Sequence, residues 1–207
     1  QHQDFLKSFH CIDCIQVTPL HIAVLMGHYD ASKFMIHTAP NLVNIYTLSP
    51  EEASEPDATP LHIAVDNGHY LVAQLLLRNG ADITATNSAG MRAIHYAQTP
   101  KMVDMLVEYG ARINDPVNDD DGHSLVHFAA HFGRVSVMQH ISQKYHIDLA
   151  KRASNTYEAM HCAALGSQLE VMQFLVTIGI SLETTAAEEW KPIHCACQSG
   201  DVSIVDY

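Results

Sequence analysis

A histidine-centred segment recurs six times in this sequence and constrains the fold more than any other feature. Each copy has an apolar residue, a histidine, one variable residue and an alanine. The histidines are His21, His62, His95, His127, His161 and His194. They lie 41, 33, 32, 34 and 33 residues apart. A period near 33 indicates stacked supersecondary units, one per repeat.

Two copies, residues 18–23 and 59–64, read Thr-Pro-Leu-His-Ile-Ala, and the others keep the apolar-His-x-Ala centre. In this pattern the sequence resembles the ankyrin repeat family, and the resemblance covers almost the whole chain. It implies an all-α solenoid in which each repeat forms a β-turn finger and two antiparallel helices. It also implies protein binding through the finger tips and the concave face of the first helices.

Local signals within each repeat agree with this fold. Thr18 and Thr59 each precede a proline, which predicts helices that are capped by threonine and start at Pro19 and Pro60. The alanine two residues after each histidine predicts close packing of neighbouring first helices. Glycines mark the predicted turn between the two helices and the end of the second helix. The first group is Gly27, Gly68, Gly133 and Gly200, and the second is Gly80, Gly110 and Gly179.

The period divides the chain into seven segments. A degenerate half-repeat occupies residues 1–15, and repeat 1, with an acidic insertion in its finger, occupies 16–56. The other repeats occupy residues 57–89, 90–121, 122–155, 156–188 and, truncated, 189–207. Because the last repeat stops inside its second helix without a polar cap, we expect the chain to be a piece of a longer protein.

Two repeats depart from the pattern in ways that predict local structure. Repeat 3 is three residues shorter between its helices, where Thr99 and Pro100 supply a new cap and first turn. The finger of repeat 4 is one residue longer, and Tyr145 and His146 stand where other repeats have glycine.

The chain has 23 acidic and 11 basic residues, for a formal net charge of −12. This excess excludes nucleic acid as the main partner, because little positive charge is available to displace counterions from phosphates. No run approaches the roughly 18 apolar residues of a membrane helix, so we expect no membrane insertion by this segment. The five cysteines form an odd set without framework spacing, and no Asn-x-Ser/Thr sequon is present. Both facts favour a reduced, intracellular, cytoplasmic protein.

The aligned histidines are expected to be structural. Their common position predicts that each imidazole bonds the threonine or backbone of its finger and ties one repeat to the next, as the resemblance implies. His28 and His69, which follow the loop glycine, are expected to act in the same way. The alternative is a zinc site at His123, His127 and His131, which are spaced four residues apart.

Cysteines beside histidines raise the alternative of a nucleophile or a metal site. Cys162 and Cys195 each follow a repeat histidine, but adjacent helical residues do not face each other. We interpret both, and Cys197, as small core residues. Cys11 and Cys14 form a C-x-x-C pair without the second ligand pair that structural zinc needs. No catalytic motif is present, so the sequence predicts no catalytic residue, cofactor or metal ligand.

The residue four before each repeat histidine is expected to project from its finger. In the last four repeats these residues are Met91, His123, Tyr157 and Trp190, which a solenoid would align in one row. Exposed aromatic and Met side chains are typical of binding hot spots. In the alternative interpretation, Tyr157 and Trp190 cover neighbouring fingers and serve packing alone.

A second candidate set lies four and five residues after the histidine, where the first helix faces the same concavity. Its members are Leu25, Met26, Asp66, Asn67, His131, Phe132 and Leu165. Variation at these positions on a constant scaffold is typical of interchangeable recognition, and equally of an unconstrained surface.

The third candidate set is the acidic residues of the fingers. They are Glu51, Glu52, Glu55 and Asp57 in the first finger, and Asp119, Asp120 and Asp121 in the third. We expect them to attract a basic segment of a protein partner and to speed its encounter. The alternative is a surface that only keeps the chain soluble.

These observations favour a non-enzymatic protein-interaction scaffold or adaptor. One alternative is the substrate-targeting segment of a larger enzyme, ubiquitin ligase subunit or ion channel, and another is a structural spacer. Because many unrelated roles share one fold, the flanking sequence and the presence of a specific partner discriminate these alternatives.

Overall fold

The computed structural model describes residues 17–47, 58–117 and 122–207, and all the secondary-structure elements in these ranges are helices. The chain forms two units, residues 1–89 and 90–207. In the first unit, α1 (Pro19–Leu25) and α3 (Pro60–Asp66) pack together as an inner layer. The outer helices α2 (Tyr29–Thr38) and α4 (Tyr70–Arg78) lie behind them, with a 3₁₀ turn at Pro40–Asn44.

The second unit repeats this two-layer arrangement. Its inner layer runs from the 3₁₀ turn Ala93–Tyr96 through α6 (Leu125–His131) and α8 (Ala159–Leu165) to α10 (Pro192–Ser199). Its outer helices are α5 (Pro100–Glu108), α7 (Val135–Tyr145), α9 (Leu169–Thr177) and α11 (Val202–Val205), with a short turn at Ala187–Glu189. The all-α prediction is confirmed. None of these described helices has the length and apolar character needed to cross a membrane.

The predicted caps form at the start of the inner helices. Thr18 is the N-cap of α1, and its hydroxyl accepts a hydrogen bond from the backbone N–H of His21. Thr59 caps α3 in the same position, and a proline follows each threonine as the first helical residue. The fixed φ of proline suits this position, and its missing N–H costs the first turn nothing.

The alanine two residues after each repeat histidine is buried in all six repeats, as predicted. A small side chain there allows the inner helices to pack closely on one another. The four loop glycines adopt positive φ, between 67° and 75°. In repeat 5 the left-handed position is taken by Ser167, at φ 57°.

Repeat 3 lacks a full inner helix. Its histidine lies in the four-residue 3₁₀ turn Ala93–Tyr96, and the next helix begins at Pro100 with Thr99 as its N-cap. The residue before a proline avoids the α conformation, so the chain cannot continue helically through Thr99. The predicted cap at Thr99 is therefore confirmed, but repeat 3 has one α-helix where the resemblance implied two. His146 also stands in the glycine position of repeat 4, as predicted, since it ends α7 in the left-handed conformation.

Candidate functional site

The repeat histidines fasten each finger to the inner helix before it. The backbone N–H of Thr18 donates to Nδ1 of His21 at 3.1 Å. This leaves the proton of the neutral ring on Nε2, which donates to the carbonyl oxygen of Ile45 at 3.0 Å. The structural interpretation is therefore confirmed for His21, and the rings of His95, His127 and His161 make the equivalent bond to a backbone carbonyl.

The same two bonds recur in the second unit and reach the candidate row. Nε2 of His127 donates to the carbonyl oxygen of Tyr157 at 3.2 Å, and Nε2 of His161 donates to that of Trp190 at 3.1 Å. Burial lowers the pKa of His127 to about 4, and the neighbouring His123 acts in the same direction. Burial likewise lowers the pKa of His161.

The four residues Met91, His123, Tyr157 and Trp190, which we call the finger row, occupy equivalent places in their repeats. Tyr157 stacks on the imidazole of His161, with ring centroids 5.2 Å apart. Trp190 lies over His194 at 5.0 Å, and His123 lies beside His127 at 5.4 Å. Trp190 remains 37% exposed, and the other three are half-buried. The rings therefore pack on their own repeat and still reach the surface.

The second candidate set lies on the inner helices. In the second unit Phe132 is 54% exposed, and its ring meets His131 edge-on at 4.9 Å. The guanidinium of Arg134 lies 4.9 Å from the centre of the Phe132 ring. Leu165 is half-buried. We call the exposed side of α6, α8 and α10, together with the finger row, the inner face of the second unit.

In the first unit the corresponding residues are Leu25 and Met26 on α1, and Asp66 and Asn67 at the end of α3. Leu25 is half-buried, and the other three are exposed. The acidic candidates Glu51, Glu52, Glu55, Asp57 and Asp119 to Asp121 lie outside the described residues, as do Cys11 and Cys14.

One cysteine prediction is wrong. Cys162 and Cys195 are buried as expected, but Cys197 is exposed. The corresponding Val24 and Ala130 are buried in helices that have another inner helix packed after them, whereas α10 is the last inner helix described.

The buried thiol of Cys195 is a hydrogen-bond acceptor, not a poised nucleophile. Burial raises its pKa, and Nε1 of Trp190 donates to its sulfur at 3.2 Å. A thiol that stays protonated is a poor nucleophile. Within the three described ranges, no group of three or more His, Cys, Asp or Glu side chains is placed to hold a metal ion.

A second fastening lies seven residues after the repeat histidine. Nε2 of His69 donates to the carbonyl oxygen of Leu25 at 2.9 Å, as expected for this histidine. In repeat 4 the same position holds Arg134, whose Nη1 donates to the carbonyls of His95 and Ala97 at 3.2 and 3.3 Å. Sequence reasoning missed Arg134, although its register could have indicated it. His28 shares this register, but residues 1–16 lie outside the described ranges.

The outer helices of the second unit carry a polar cluster that the sequence did not predict. Asp104 accepts hydrogen bonds from Nε2 of His140 at 2.6 Å, from the Tyr145 hydroxyl at 2.7 Å and from Nζ of Lys144 at 2.9 Å. Desolvation raises the pKa of Asp104, but these three donors outweigh it and lower the pKa to about 2. The cluster links α5 to α7, on the layer away from the inner face.

Comparison with protein families decides the classification. A model of three tandem ankyrin repeats matches residues 39–117, 61–153, 91–185 and 126–207, and a single-repeat model matches residues 16–46. The chain belongs to the ankyrin repeat family. Ankyrin models thus account for residues 16–207, and domains of this family generally bind proteins.

Solved ankyrin folds resemble the chain over most of its length. The human ASB11 ankyrin repeat domain aligns with a TM-score of 0.71 at 23% identity, covering 92% of this chain and 81% of that one. A chain from the Bdellovibrio bacteriovorus predatory endopeptidase Bd0816 in complex with immunity protein Bd3460 aligns with a TM-score of 0.64. Its identity is 18%, and the alignment covers 92% of this chain and 96% of that one. At these identities the likeness shows the fold alone.

A curated relative matches a shorter stretch. Alpha-latroinsectotoxin-Lt1a of Latrodectus tredecimguttatus is 29% identical over 101 residues, which is 49% of this chain. The match spans 7% of the toxin's length.

Proposed function

We propose that this ankyrin domain is a scaffold that docks a partner protein on its inner face. In the second unit the docking residues are the finger row together with His131, Phe132 and Leu165. In the first unit, taken by itself, the proposed docking residues are Leu25, Met26, Asp66 and Asn67. The observation that carries the proposal is a row of partly exposed rings, each packed on the repeat imidazole of its own repeat.

The fastening of the row favours binding because it holds these rings in place before a partner arrives. The carbonyl of Tyr157 accepts the N–H of Ala153 at 2.8 Å, besides the bond from His127. The carbonyl of Trp190 accepts the N–H of Ala186 at 2.7 Å, besides the bond from His161. A surface ordered in advance loses less conformational entropy on association, and Tyr and Trp are the side chains that most often dominate interfaces.

The double variant Tyr157→Ala/Trp190→Ala tests this proposal. A partner captured from reducing cytoplasmic lysate, the location we propose, is purified and titrated calorimetrically against both chains. We expect the variant to bind at least about tenfold more weakly, because two hot-spot rings are removed.

The matched control is Phe34→Ala/Leu71→Ala, which removes two apolar side chains exposed on the outer helices α2 and α4. It should bind like the wild type. Circular dichroism melts of all three chains separate lost contacts from lost structure. An unchanged affinity in a folded Tyr157→Ala/Trp190→Ala chain would remove the finger row from the docking surface.

We also propose that the acidic finger residues steer a basic segment of the partner toward the domain. The support is the net charge of −12 and the seven carboxylates that the first and third fingers carry in sequence. Stopped-flow association rates should fall by about tenfold between low and high salt, because screening weakens long-range attraction. Converting Glu51, Glu52 and Glu55 to Gln should reduce this salt dependence. An association rate that salt does not alter rules out the steering role.

A further inference from the structure

The inner layer of the second unit contains no acidic residue, lysine or arginine. The turn Ala93–Tyr96 reads AIHY, and α6, α8 and α10 read LVHFAAH, AMHCAAL and PIHCACQS, without Asp, Glu, Lys or Arg. The outer helices differ, since α5 holds Lys101, Asp104 and Glu108, and α7 holds Lys144. Charge in the helices of this unit is therefore segregated to the outer layer.

Three charged residues beside the inner face are engaged with neighbouring groups. Glu158 is buried, and it accepts a hydrogen bond from Nε of Arg152 at 3.0 Å. Nζ of Lys191 lies 2.7 Å from the carboxylate of Glu183. Arg134 stacks on Phe132 and donates to two backbone carbonyls. All of these charged residues lie in the fingers and loops that flank the inner face.

The inner face exposes apolar and aromatic side chains, alongside His194 and Gln198 of α10. Phe132 is 54% exposed and Trp190 is 37% exposed. Tyr157 and Leu165, which lie between these two in the sequence, are half-buried. Exposed aromatic side chains on a surface depleted of charge are typical of the centre of a protein interface.

We propose that the inner face of the second unit seats an uncharged, apolar stretch of the partner. The inference rests on the proposed docking function and specifies the chemistry of what is docked. A lysine or glutamate seated on α6, α8 and α10 would lose its hydration, and these helices hold no acidic or basic side chain to pair with it. Aliphatic and aromatic side chains would instead bury apolar surface against Phe132 and Trp190. The neutral face thus selects against charge in the seated stretch.

Two regions of the domain then act on different steps of binding. The acidic fingers act on a basic flank of the partner and set the rate of association, which salt reduces. The neutral face holds the apolar stretch and sets the rate of dissociation, on which salt has little effect.

The test uses a phage-displayed library of random dodecapeptides selected on the immobilised 207-residue chain. Counter-selection is against the variant Phe132→Lys, which places one charge on the face at an exposed position. The matched control is Phe34→Lys, the same substitution at an exposed site on the outer helix α2. Selected peptides are synthesised, and their Kd values are measured by fluorescence anisotropy, with melts to verify that each variant folds.

We expect peptides rich in Leu, Ile, Phe and Trp and poor in charged residues. Phe132→Lys should raise their Kd by about tenfold or more, and Phe34→Lys by less than about twofold. The Kd should change by less than about twofold between low and high salt.

Four results overturn the inference. The first is enrichment of Lys- and Arg-rich peptides whose affinity falls with salt, and the second is apolar peptides that bind folded Phe132→Lys as tightly as the wild type. The third is no enrichment at all. The fourth is a dimer, seen by sedimentation, that Phe132→Lys dissociates, because this would assign the face to a second copy of this chain. A partner that binds folded Phe132→Lys normally but fails to bind Tyr157→Ala/Trp190→Ala would leave docking on the finger row intact and remove only this inference.

Discussion

Gly166→Ala is expected to lower the free energy of unfolding by about 3 kcal/mol, because a methyl group at this position has no space. Gly166 follows α8, where its backbone crosses the end of α6. A Cβ built on it would overlap the carbonyl oxygen of His131 and lie 2.9 Å from the carbonyl carbon. These are backbone atoms, so α6 and α8 would have to separate. Gly166 has an ordinary φ of −82°, and close approach alone requires glycine here.

Two further variants isolate this effect in urea denaturation. Gly179→Ala, at φ 92° with open space around the added atom, carries only the cost of a left-handed conformation, about 1 kcal/mol. Ser167→Gly, at φ 57°, should stabilise the chain by a similar amount. If Gly166→Ala costs no more than Gly179→Ala, the contact between α6 and α8 is looser than described.

Acid is expected to destabilise the domain between pH 6.5 and about 4 through its buried repeat histidines. Below pH 6.5 the unfolded chain binds protons that the folded chain excludes, so stability falls with pH until the folded histidine also titrates. For His127, whose pKa is lowered from 6.5 to about 4, the full loss is about 3 kcal/mol. His21 and His161, whose pKa values are also lowered by burial, add to the loss in the same direction.

Urea denaturation at a series of pH values measures this dependence. The variant His127→Gln should be less stable at pH 7 and should lose less stability between pH 6.5 and 4. The control His37→Gln changes an exposed imidazole on α2 and should keep the wild-type dependence. Asp104, with a pKa lowered to about 2, destabilises the fold only as pH falls from about 4 toward 2, which separates it from the histidines. A stability that is flat from pH 6.5 to 4 contradicts the buried neutral imidazoles.

The repeat architecture could be predicted from the sequence because its determinants are local. A threonine before a proline starts a helix at Thr18 and at Thr99 for reasons contained in those two residues and the next turn. His146 ends α7 at the position where other repeats have a glycine. The period itself brought the repeat histidines into one register, and their common role followed from that register. Met91, His123, Tyr157 and Trp190 were assigned equivalent places in the same way.

How exposed the residues at one repeat position are, and which groups they bond, depended on contacts between residues that are distant in sequence. Cys195 is buried, but Ile22 at the same repeat position is 50% exposed. Arg134 replaces a histidine at its position and reaches carbonyls 37 and 39 residues earlier. Gly166 looks like any loop glycine until the backbone of His131 lies against it. Periodicity assigns a residue to a face, but how far that face is covered depends on the size and reach of side chains in the adjacent repeats, which the packed structure brings together.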